Sequence, residues 1–358
     1  MAGSYQNHRA QIEAILISWG TGAEAAERAA EVMAWADLHG IDSHGLSTLT
    51  VYHQRWKNGR INMAATPRIV RESPVSTLID GDGGLGHPTS RWAMEIAIAK
   101  AKNSGMAISS VRNSTHFGAC GFYTEMAANA DLIGLVTTST SHIQVAPAGG
   151  REARLGTEPI SFSAPGLDGE PFLLDMATTT AASGKIRNRF NEGLPVPVGW
   201  LVTSEGQPST DPLEAAQKGG SLTPLGGTPE GSYHKGYGLA VMVDILSSCL
   251  SGSTLMTSPM HLKQPYGQDI SHFFLAIDPG LFRDVGEFRA DVASLCGALR
   301  ATAPVDPARP VMIAGDPERK KARERMRTGI PIGPGLLAKI RAIAREHEVP
   351  WMLDGDGD

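Results

Sequence analysis

Residues 106–138 read MAISSVRNSTHFGACGFYTEMAANADLIGLVTT, and this stretch decides the fold class. The segments MAISSVR and LIGLVTT are apolar and contain β-branched residues, which predicts two strands. Between them, GFYTEMAANA lacks breakers in its interior and predicts a helix. An alternation of strand, helix and strand is typical of an α/β domain.

The same alternation continues in both directions along the chain. Helix TSRWAMEIAIAKA is predicted over 89–101. Further strands are predicted at RIVRE (68–72), VSTLID (75–80), ISFSAP (160–165), PFLLDMA (171–177) and HFFLAID (272–278). A Gly-, Pro-, Ser- and Thr-rich stretch at 204–233 is expected to be a long surface excursion. Because α/β segments lie on both sides of it, we expect a sheet that is discontinuous in sequence.

Helices are predicted at both ends of the chain. Within residues 8–60, apolar spacing indicates one helix that stops at Gly20, a second over 23–38, and a third that begins at the N-cap Ser43 and stops before Gly59. The charged segment 317–348 is also expected to be helical.

The most apolar segment, GLAVMVDILSSCL (238–250), contains Asp244 and is too short to span a bilayer. It predicts a buried helix over 236–251.

Composition excludes several classes of function. The chain has 358 residues, a net charge of −5 and no block of like charges, which argues against nucleic acid or a membrane as partner. Its 3 cysteines form no CxxC pair, and MAGSYQNHRAQIEAI shows no secretory signal, so a cytoplasmic location is expected.

Residues 81–86 read GDGGLG, which fits the G-x-G-x-x-G pattern of dinucleotide-binding folds. The pattern is weak in a chain with 41 glycines. The next strand also ends without the acidic residue that holds a ribose in such folds, and His87-Pro88 follows the last glycine. We therefore favour a tight turn at a strand end over a Rossmann site.

Two histidine segments are candidates for acid–base chemistry. DSHG (42–45) places His44 at the expected start of the third helix, where Thr48 and Tyr52 would share its face. RNSTHFG (112–118) places His116 in a strand-to-helix loop, beside the polar Arg112 and Asn113. Each segment alone is equally compatible with a capping turn or a polar loop.

Two further segments suit phosphate and ribose binding. LDMATTT (174–180) ends an apolar strand with Asp175 and follows it with hydroxyls that include Thr178. HKGYG (234–238) combines Lys235 with Gly236 and a second glycine, which would let backbone approach a ligand. Either segment is also compatible with an ordinary capped helix start.

Together these segments resemble the malate/L-lactate dehydrogenase family that is unrelated to Rossmann-type enzymes. This family includes ureidoglycolate and sulfolactate dehydrogenases, diketogulonate reductase and Δ1-piperideine-2-carboxylate reductases. The matching stretches, in the family's order, are ADLHGIDSHG, VRNSTHFGACGFY, RLGTEPISFSAPG, LDMATTTAASGKI and HKGYGLAVMVDILSSCLSG. They cover roughly residues 10–320.

The resemblance implies an α/β fold with a nicotinamide-binding domain on a largely antiparallel sheet. It implies an N-terminal helical segment (1–60), an α/β substrate and dimerisation domain (61–135 with 255–358) and a cofactor domain (136–254). A homodimer with its active site near the subunit interface is also implied.

The implied reaction is hydride transfer between NAD(H) or NADP(H) and a small 2-oxo or 2-hydroxy acid. His44 would donate the proton, supported by Ser43, and His116 would act as acid–base or orienting group. The cofactor would contact Ser141, Asp175, Met176, Ala177 and Lys235, alongside Thr178 and Gly236 from the same segments.

Two departures concern the substrate. Many members carry an arginine at the position of Thr48, where it pairs with the substrate carboxylate. Arg55 or Arg112 would have to replace it, or the substrate is not a simple 2-oxo acid. The usual GTNP is GTEP, so Glu158 is expected to add a negative charge near the site. Members that reduce cyclic imines carry an aspartate at the position of Lys185, which favours a carbonyl substrate here.

Other classes of function are weaker. The 11 histidines include no HxxxH or HxH pair with a third ligand nearby, so no metal site is predicted. A hydrolase would need a G-x-S-x-G elbow, which is absent. Reduction of a cyclic or N-alkyl imino acid, and cofactor binding without turnover, remain alternatives.

Overall fold

The computed structural model describes residues 2–255, 257–258 and 269–353. Residues 259–268 and 354–358, which belong to the 255–358 segment of the predicted substrate domain, lie outside the described residues. No helix in the described part is long and apolar enough to cross a membrane.

The α-helices of the described ranges are α1 Tyr5–Ser18, α2 Ala23–Leu38, α3 Leu49–Lys57, α4 Gly86–Ser104, α5 Cys120–Asn129, α6 Ser183–Asn191, α7 Leu213–Ala216, α8 His234–Asp244, α9 Val285–Arg300, α10 Asp316–Thr328 and α11 Pro334–Glu346. The strands are β1 Ala2–Gly3, β2 Arg68–Glu72, β3 Ser76–Asp80, β4 Met106–Ser114, β5 Ile133–Thr138, β6 Ile160–Ala164, β7 Phe172–Met176, β8 Leu201–Val202, β9 Pro208–Ser209, β10 Ser221–Leu222, β11 Ile270–Ile277 and β12 Ile330–Pro331.

The main sheet has seven strands in the order β2-β3-β4-β11-β5-β6-β7. Strands β3 and β4 pair in parallel, whereas β2 and β3 are antiparallel, as are the pairs β1–β12, β8–β9 and β8–β10. The parallel pair is joined by helix α4, the crossover that such a pair needs. The α/β class with largely antiparallel pairing is confirmed.

The chain forms two compact units. The first comprises Met1–Val136, Ser161–Asp175 and Phe274–Asp358, and the second comprises Thr137–Ile160 and Met176–Phe273. Each unit is therefore discontinuous in sequence. The predicted boundaries at residues 60, 135 and 254 are a finer division, and they stay a prediction.

The third N-terminal helix begins later than predicted. Residues 42–45 form a turn, Leu46–Thr48 form a 3-10 turn, and α3 starts only at Leu49. The N-cap prediction for Ser43 is wrong because the Leu46 amide donates to the buried Asp37 carboxylate at 2.7 Å instead. His44 therefore lies on a turn and not on a helix.

The GDGGLG segment is a tight turn that packs on the end of β4. The amides of Gly81 and Gly83 donate to the carbonyls of Arg112 and Asn113, each at 2.8 Å. A Cβ at Gly86 would lie 2.2 Å from the Thr115 carbonyl oxygen. These glycines thus bring the backbone against the loop that carries His116. Helix α4 begins at Gly86, so His87 lies in its first turn and not before it.

The structure adds detail to two predictions in the second unit. The 204–233 stretch, expected as a long surface excursion, contains β9, α7 and β10, and β10 is buried. The helix predicted to be buried over 236–251 begins at His234, and a π-helix follows over Ile245–Cys249. Only one side of it is buried, since Ile245 and Leu250 are 53% and 57% exposed.

Helix α9 was not predicted from the sequence. It begins with an Asp284 side chain that accepts from the Glu287 amide at 3.0 Å.

Candidate active site

The turn that carries His44 is held by contacts with Asp37, Asp42 and Arg325. A Cβ at Gly45 would lie 2.0 Å from Oδ1 of Asp37, so only glycine fits there. Arg325 donates to the Asp37 carbonyl and to the Asp42 carboxylate. Burial raises the pKa of Asp37 to about 8, since its charged form is poorly solvated. These contacts fix the start and the end of the 42–45 turn.

His44 is half-buried, and its Nδ1 lies 2.8 Å from Oγ of Ser43. Burial lowers the pKa of His44 to about 4. The imidazole is therefore neutral near pH 7, and Ser43 restrains its orientation and tautomer.

His116 faces His44, with ring centroids 5.4 Å apart and planes inclined by 31°. Its Nδ1 lies 2.6 Å from the Tyr52 hydroxyl oxygen and 3.4 Å from the Gly118 amide nitrogen. Burial raises the pKa of Tyr52, so the phenol keeps its proton. The Gly118 amide donates to Nδ1, which is therefore the unprotonated nitrogen and accepts from the Tyr52 hydroxyl as well. In the neutral ring of His116 the remaining proton is then on Nε2.

A third histidine, His87, completes this cluster and was missed from the sequence. Its ring is fully buried, and its Nε2 lies 3.5 Å from the Tyr52 hydroxyl oxygen. Burial, with a smaller contribution from His44, lowers the pKa of His87 to about 3. Its Nδ1 has no hydrogen-bond partner among the described residues. The only sequence feature that points to His87 is its position directly after GDGGLG.

The predicted substrate residues fall into two groups. Thr48 and Tyr52 are buried in the histidine cluster, and the Thr48 hydroxyl donates to the Gly45 carbonyl at 2.7 Å. Arg112 and Asn113 instead contact Asp80, with Nε–Oδ2 and Nδ2–Oδ1 distances of 3.9 and 2.9 Å. Substrate binding by these residues stays a prediction.

A further cation lies against the cluster. Arg55, one turn after Tyr52 on α3, is close enough for its positive charge to oppose the rise in the pKa of the Tyr52 phenol, and burial lowers the pKa of its own guanidinium. Arg55 was one of two sequence candidates for the missing carboxylate ligand.

The predicted cofactor residues occupy distinct places. Asp175 lies in β7, one residue before the strand ends, and its Oδ2 accepts from the Gly121 amide at 2.7 Å. Burial raises the pKa of Asp175 to about 6. Met176 and Ala177 follow it as half-buried residues, and Ser141 lies on a half-buried bend.

Thr178 and Gly236 both contact Leu225. Leu225 donates its amide to the Thr178 carbonyl at 2.9 Å, and a Cβ at Gly236 would lie 2.4 Å from the Leu225 backbone. Gly236 is therefore required for packing, and its approach to a ligand stays a prediction. Lys235, by contrast, is exposed in the first turn of α8, whose N-terminus has no side-chain cap.

Glu158 is buried among hydrogen-bond donors. It is 1% exposed, and its Oε1 accepts from the Gly156 amide at 3.0 Å and from the Thr140 hydroxyl at 3.3 Å. Burial, reinforced by Asp244, raises the pKa of Glu158 well above its ordinary value. Burial therefore disfavours the charged form, and the expected negative charge near the site stays a prediction.

Comparison with known proteins establishes the family. The chain matches the malate/L-lactate dehydrogenase family over residues 4–341. It is 38% identical over 333 residues to the malate dehydrogenase of Pyrococcus abyssi, which covers 92% of this chain and 91% of that protein. The L-sulfolactate dehydrogenase of Methanocaldococcus jannaschii is 35% identical over 342 residues, covering 95% and 96%.

A solved structure agrees with this result. The malate dehydrogenase of Entamoeba histolytica matches with a TM-score of 0.92 at 32% identity, covering 98% of this chain and 99% of that one. The chain belongs to the malate/L-lactate dehydrogenase family, and it is an oxidoreductase. The resemblance inferred from the five motifs is confirmed.

Proposed function

We propose that the protein transfers a hydride between a nicotinamide cofactor, NAD(H) or NADP(H), and carbon 2 of a small 2-hydroxy or 2-oxo acid. The observation that carries this proposal is the pair of facing imidazoles, His44 and His116, each restrained at Nδ1 by a hydroxyl. Relatives named malate and sulfolactate dehydrogenase support the substrate class.

His44 is the proton acceptor for oxidation and the donor for reduction. With Nδ1–H donated to Ser43, its Nε2 lone pair takes the hydroxyl proton as the C–H bond of the substrate breaks. In reduction the imidazolium returns that proton to the carbonyl oxygen. A bound carboxylate raises the pKa of His44 from its low value, which makes the protonated form easier to reach.

His116 orients the substrate. Because Tyr52 donates to its Nδ1, the neutral ring offers Nε2–H as a hydrogen-bond donor to a substrate oxygen. His87 gives the Tyr52 hydroxyl a second, longer contact, since its Nε2 lies 3.5 Å from the hydroxyl oxygen.

The second unit contains groups that fit a nicotinamide dinucleotide. When bound, this cofactor supplies or accepts the hydride. The exposed ammonium of Lys235, in the first turn of α8, suits a pyrophosphate. Met176, Ala177 and Ser141 of this unit, and Asp175 next to Met176 in sequence, would hold the remainder by motif match.

Arg55 replaces the missing arginine as the partner of the substrate carboxylate. It is the cation that acts on Tyr52, whereas Arg112 faces Asp80. A charge-assisted hydrogen bond of this kind contributes about 1.5–3 kcal/mol.

A steady-state substrate panel tests the proposal. Purified protein is assayed with NAD⁺ and with NADP⁺ against 2-hydroxy acids, cyclic and N-alkyl amino acids, and alcohols without a carboxylate. We expect turnover of 2-hydroxy acids with one cofactor preferred, and a KM raised about 10- to 100-fold in Arg55→Gln but not in the matched control Arg112→Gln. Preferential oxidation of the amino acids, or of alcohols without a carboxylate, would contradict the substrate class.

We also propose a cytoplasmic homodimer with no nucleic-acid or membrane partner. Apolar side chains are exposed on α9 and the loop before it, including Phe282 (82% exposed) and Leu295 (62% exposed). They support a contact between two subunits at this surface. Light scattering of the purified protein should give twice the chain mass, and a monomer at micromolar concentration would contradict it.

A further inference from the structure

A second group of histidines lies apart from the His44–His116 pair. His53 projects from α3, and Glu346 and His347 lie at the end of α11. The Nε2 atoms of the two histidines are 3.0 Å apart, and Oε2 of Glu346 is 3.6 Å from the His53 Nε2. One ligand atom from each residue lies within 4.8 Å of the others, the only such set of three among the described residues.

These separations suit a tetrahedral metal centre. Zinc binds imidazole nitrogen and carboxylate oxygen at about 2.0–2.2 Å, so neighbouring ligand atoms in a tetrahedron are roughly 3.3 Å apart. The observed distances of 3.0 and 3.6 Å lie on either side of this value. Two imidazoles and one carboxylate, with water in a fourth position, form a common ligand set for zinc.

The surroundings of the cluster support ligation. Lys57 donates to Oε1 of Glu346 at 2.6 Å, so that oxygen is engaged and Oε2 is the atom nearer His53. Ligating carboxylates are usually hydrogen-bonded in this way. Trp19 stacks on His53 with ring centroids 5.4 Å apart and holds the imidazole in place.

We propose that His53, Glu346 and His347 bind a divalent transition-metal ion of the zinc type. The ion joins α3 to the end of α11, two helices that are distant in sequence. Because His53 follows Tyr52 directly, the ion also anchors the helix that positions His116. Its role is structural, since the reacting groups of the proposed function are His44 and His116.

Cobalt binding tests the site without any assay of activity. Metal-free protein, prepared by chelation, is titrated with Co²⁺ while visible absorption and tryptophan fluorescence are recorded. We expect one Co²⁺ per chain, with the intense visible bands of tetrahedral coordination, and displacement of Co²⁺ by Zn²⁺. The fluorescence of Trp19, and of Trp56 that stacks on it, should be quenched by bound Co²⁺. Zn²⁺ should raise the melting temperature by several degrees.

Variants separate this site from adventitious binding. His347→Gln and Glu346→Gln should each weaken Co²⁺ binding by at least about 10-fold. His39→Gln is the matched control, because His39 also stacks on a tryptophan, Trp35 at 4.1 Å, but bonds only to a backbone carbonyl in the described structure. It should bind as the wild type does. Circular dichroism checks folding, and Glu346→Gln carries the test if a histidine variant fails to fold.

Absence of tetrahedral bands in the wild type would overturn the proposal. So would equal affinity in His347→Gln and the wild type. Both results leave the proposed dehydrogenase function untouched, because no cofactor or substrate is present.

Discussion

In the proposed mechanism the chemistry depends most on His44. Replacing it by alanine removes the group that exchanges a proton with the substrate oxygen. We expect kcat to fall by roughly two to four orders of magnitude, as for other general acid–base groups, with little change in cofactor affinity. Steady-state kinetics and cofactor titration measure the two effects separately. Near-normal kcat in His44→Ala would remove His44 from the mechanism, and Ser43→Ala should show a smaller loss.

Tyr52 controls the tautomer of His116. In Tyr52→Phe the hydroxyl donor to Nδ1 is lost, so the ring proton redistributes between Nδ1 and Nε2. We expect kcat to fall about 10-fold or more, and ¹⁵N NMR of the His116 ring to show a mixture of tautomers. A merely structural role would lower stability and leave those nitrogen shifts unchanged. His87→Gln should change the same spectrum less, because its contact with Tyr52 is longer.

At the residue scale, sequence patterns could predict part of the site. DSHG and RNSTHFG identify His44 and His116 because strand ends and polar loops concentrate reactive groups. The position of His87 in the cluster and the raised pKa of Glu158 could not be predicted, since both depend on burial by residues distant in the chain. The His53–His347 contact joins positions 294 residues apart, so local spacing gives no sign of it.

The 42–45 turn depends on the ionisation of Asp37. Burial raises the folded-state pKa of Asp37 to about 8, well above its ordinary value of about 3.9. A raised pKa means that the folded protein binds this proton more tightly than the unfolded chain does. Its stabilising effect is complete below about pH 4 and is lost as pH rises through 8.

The variant Asp37→Asn tests whether stability falls as Asp37 ionises with rising pH. The amide oxygen can still accept from Leu46, but the side chain no longer ionises. We expect the wild-type melting temperature to fall between pH 6 and 9 more steeply than that of Asp37→Asn. Parallel pH profiles for the two proteins would show that Asp37 is not protonated in the folded state.

Among the elements, helix α2 and most strands of the main sheet agree with local sequence pattern. Their positions follow from the spacing of apolar residues. Gly20 and Gly105, both with positive φ, mark the ends of α1 and α4. The start of α3 could not be predicted, because the Leu46 amide is satisfied by Asp37 and not by the local serine. The π-helix after α8 has no signal in the apolar pattern, which continues through it.

At the scale of the whole molecule, alternation of strands and helices was enough to predict the α/β class. The discontinuity of both units follows from strands that return to the main sheet late in the chain, such as β11. The order of the five motifs was a stronger guide to the family than any one of them. Strand order itself depends on long-range pairing and was not predicted.

The central claim is direct hydride transfer from carbon 2 of a 2-hydroxy acid to the nicotinamide. The most direct measurement uses a 2-hydroxy acid deuterated at carbon 2, the oxidised cofactor and the purified protein, with the products analysed by NMR and mass spectrometry. We predict one deuterium at carbon 4 of the reduced nicotinamide and a slower reaction than with the unlabelled acid. Deuterium released to water, or no reduced nicotinamide with either NAD⁺ or NADP⁺, would contradict the account.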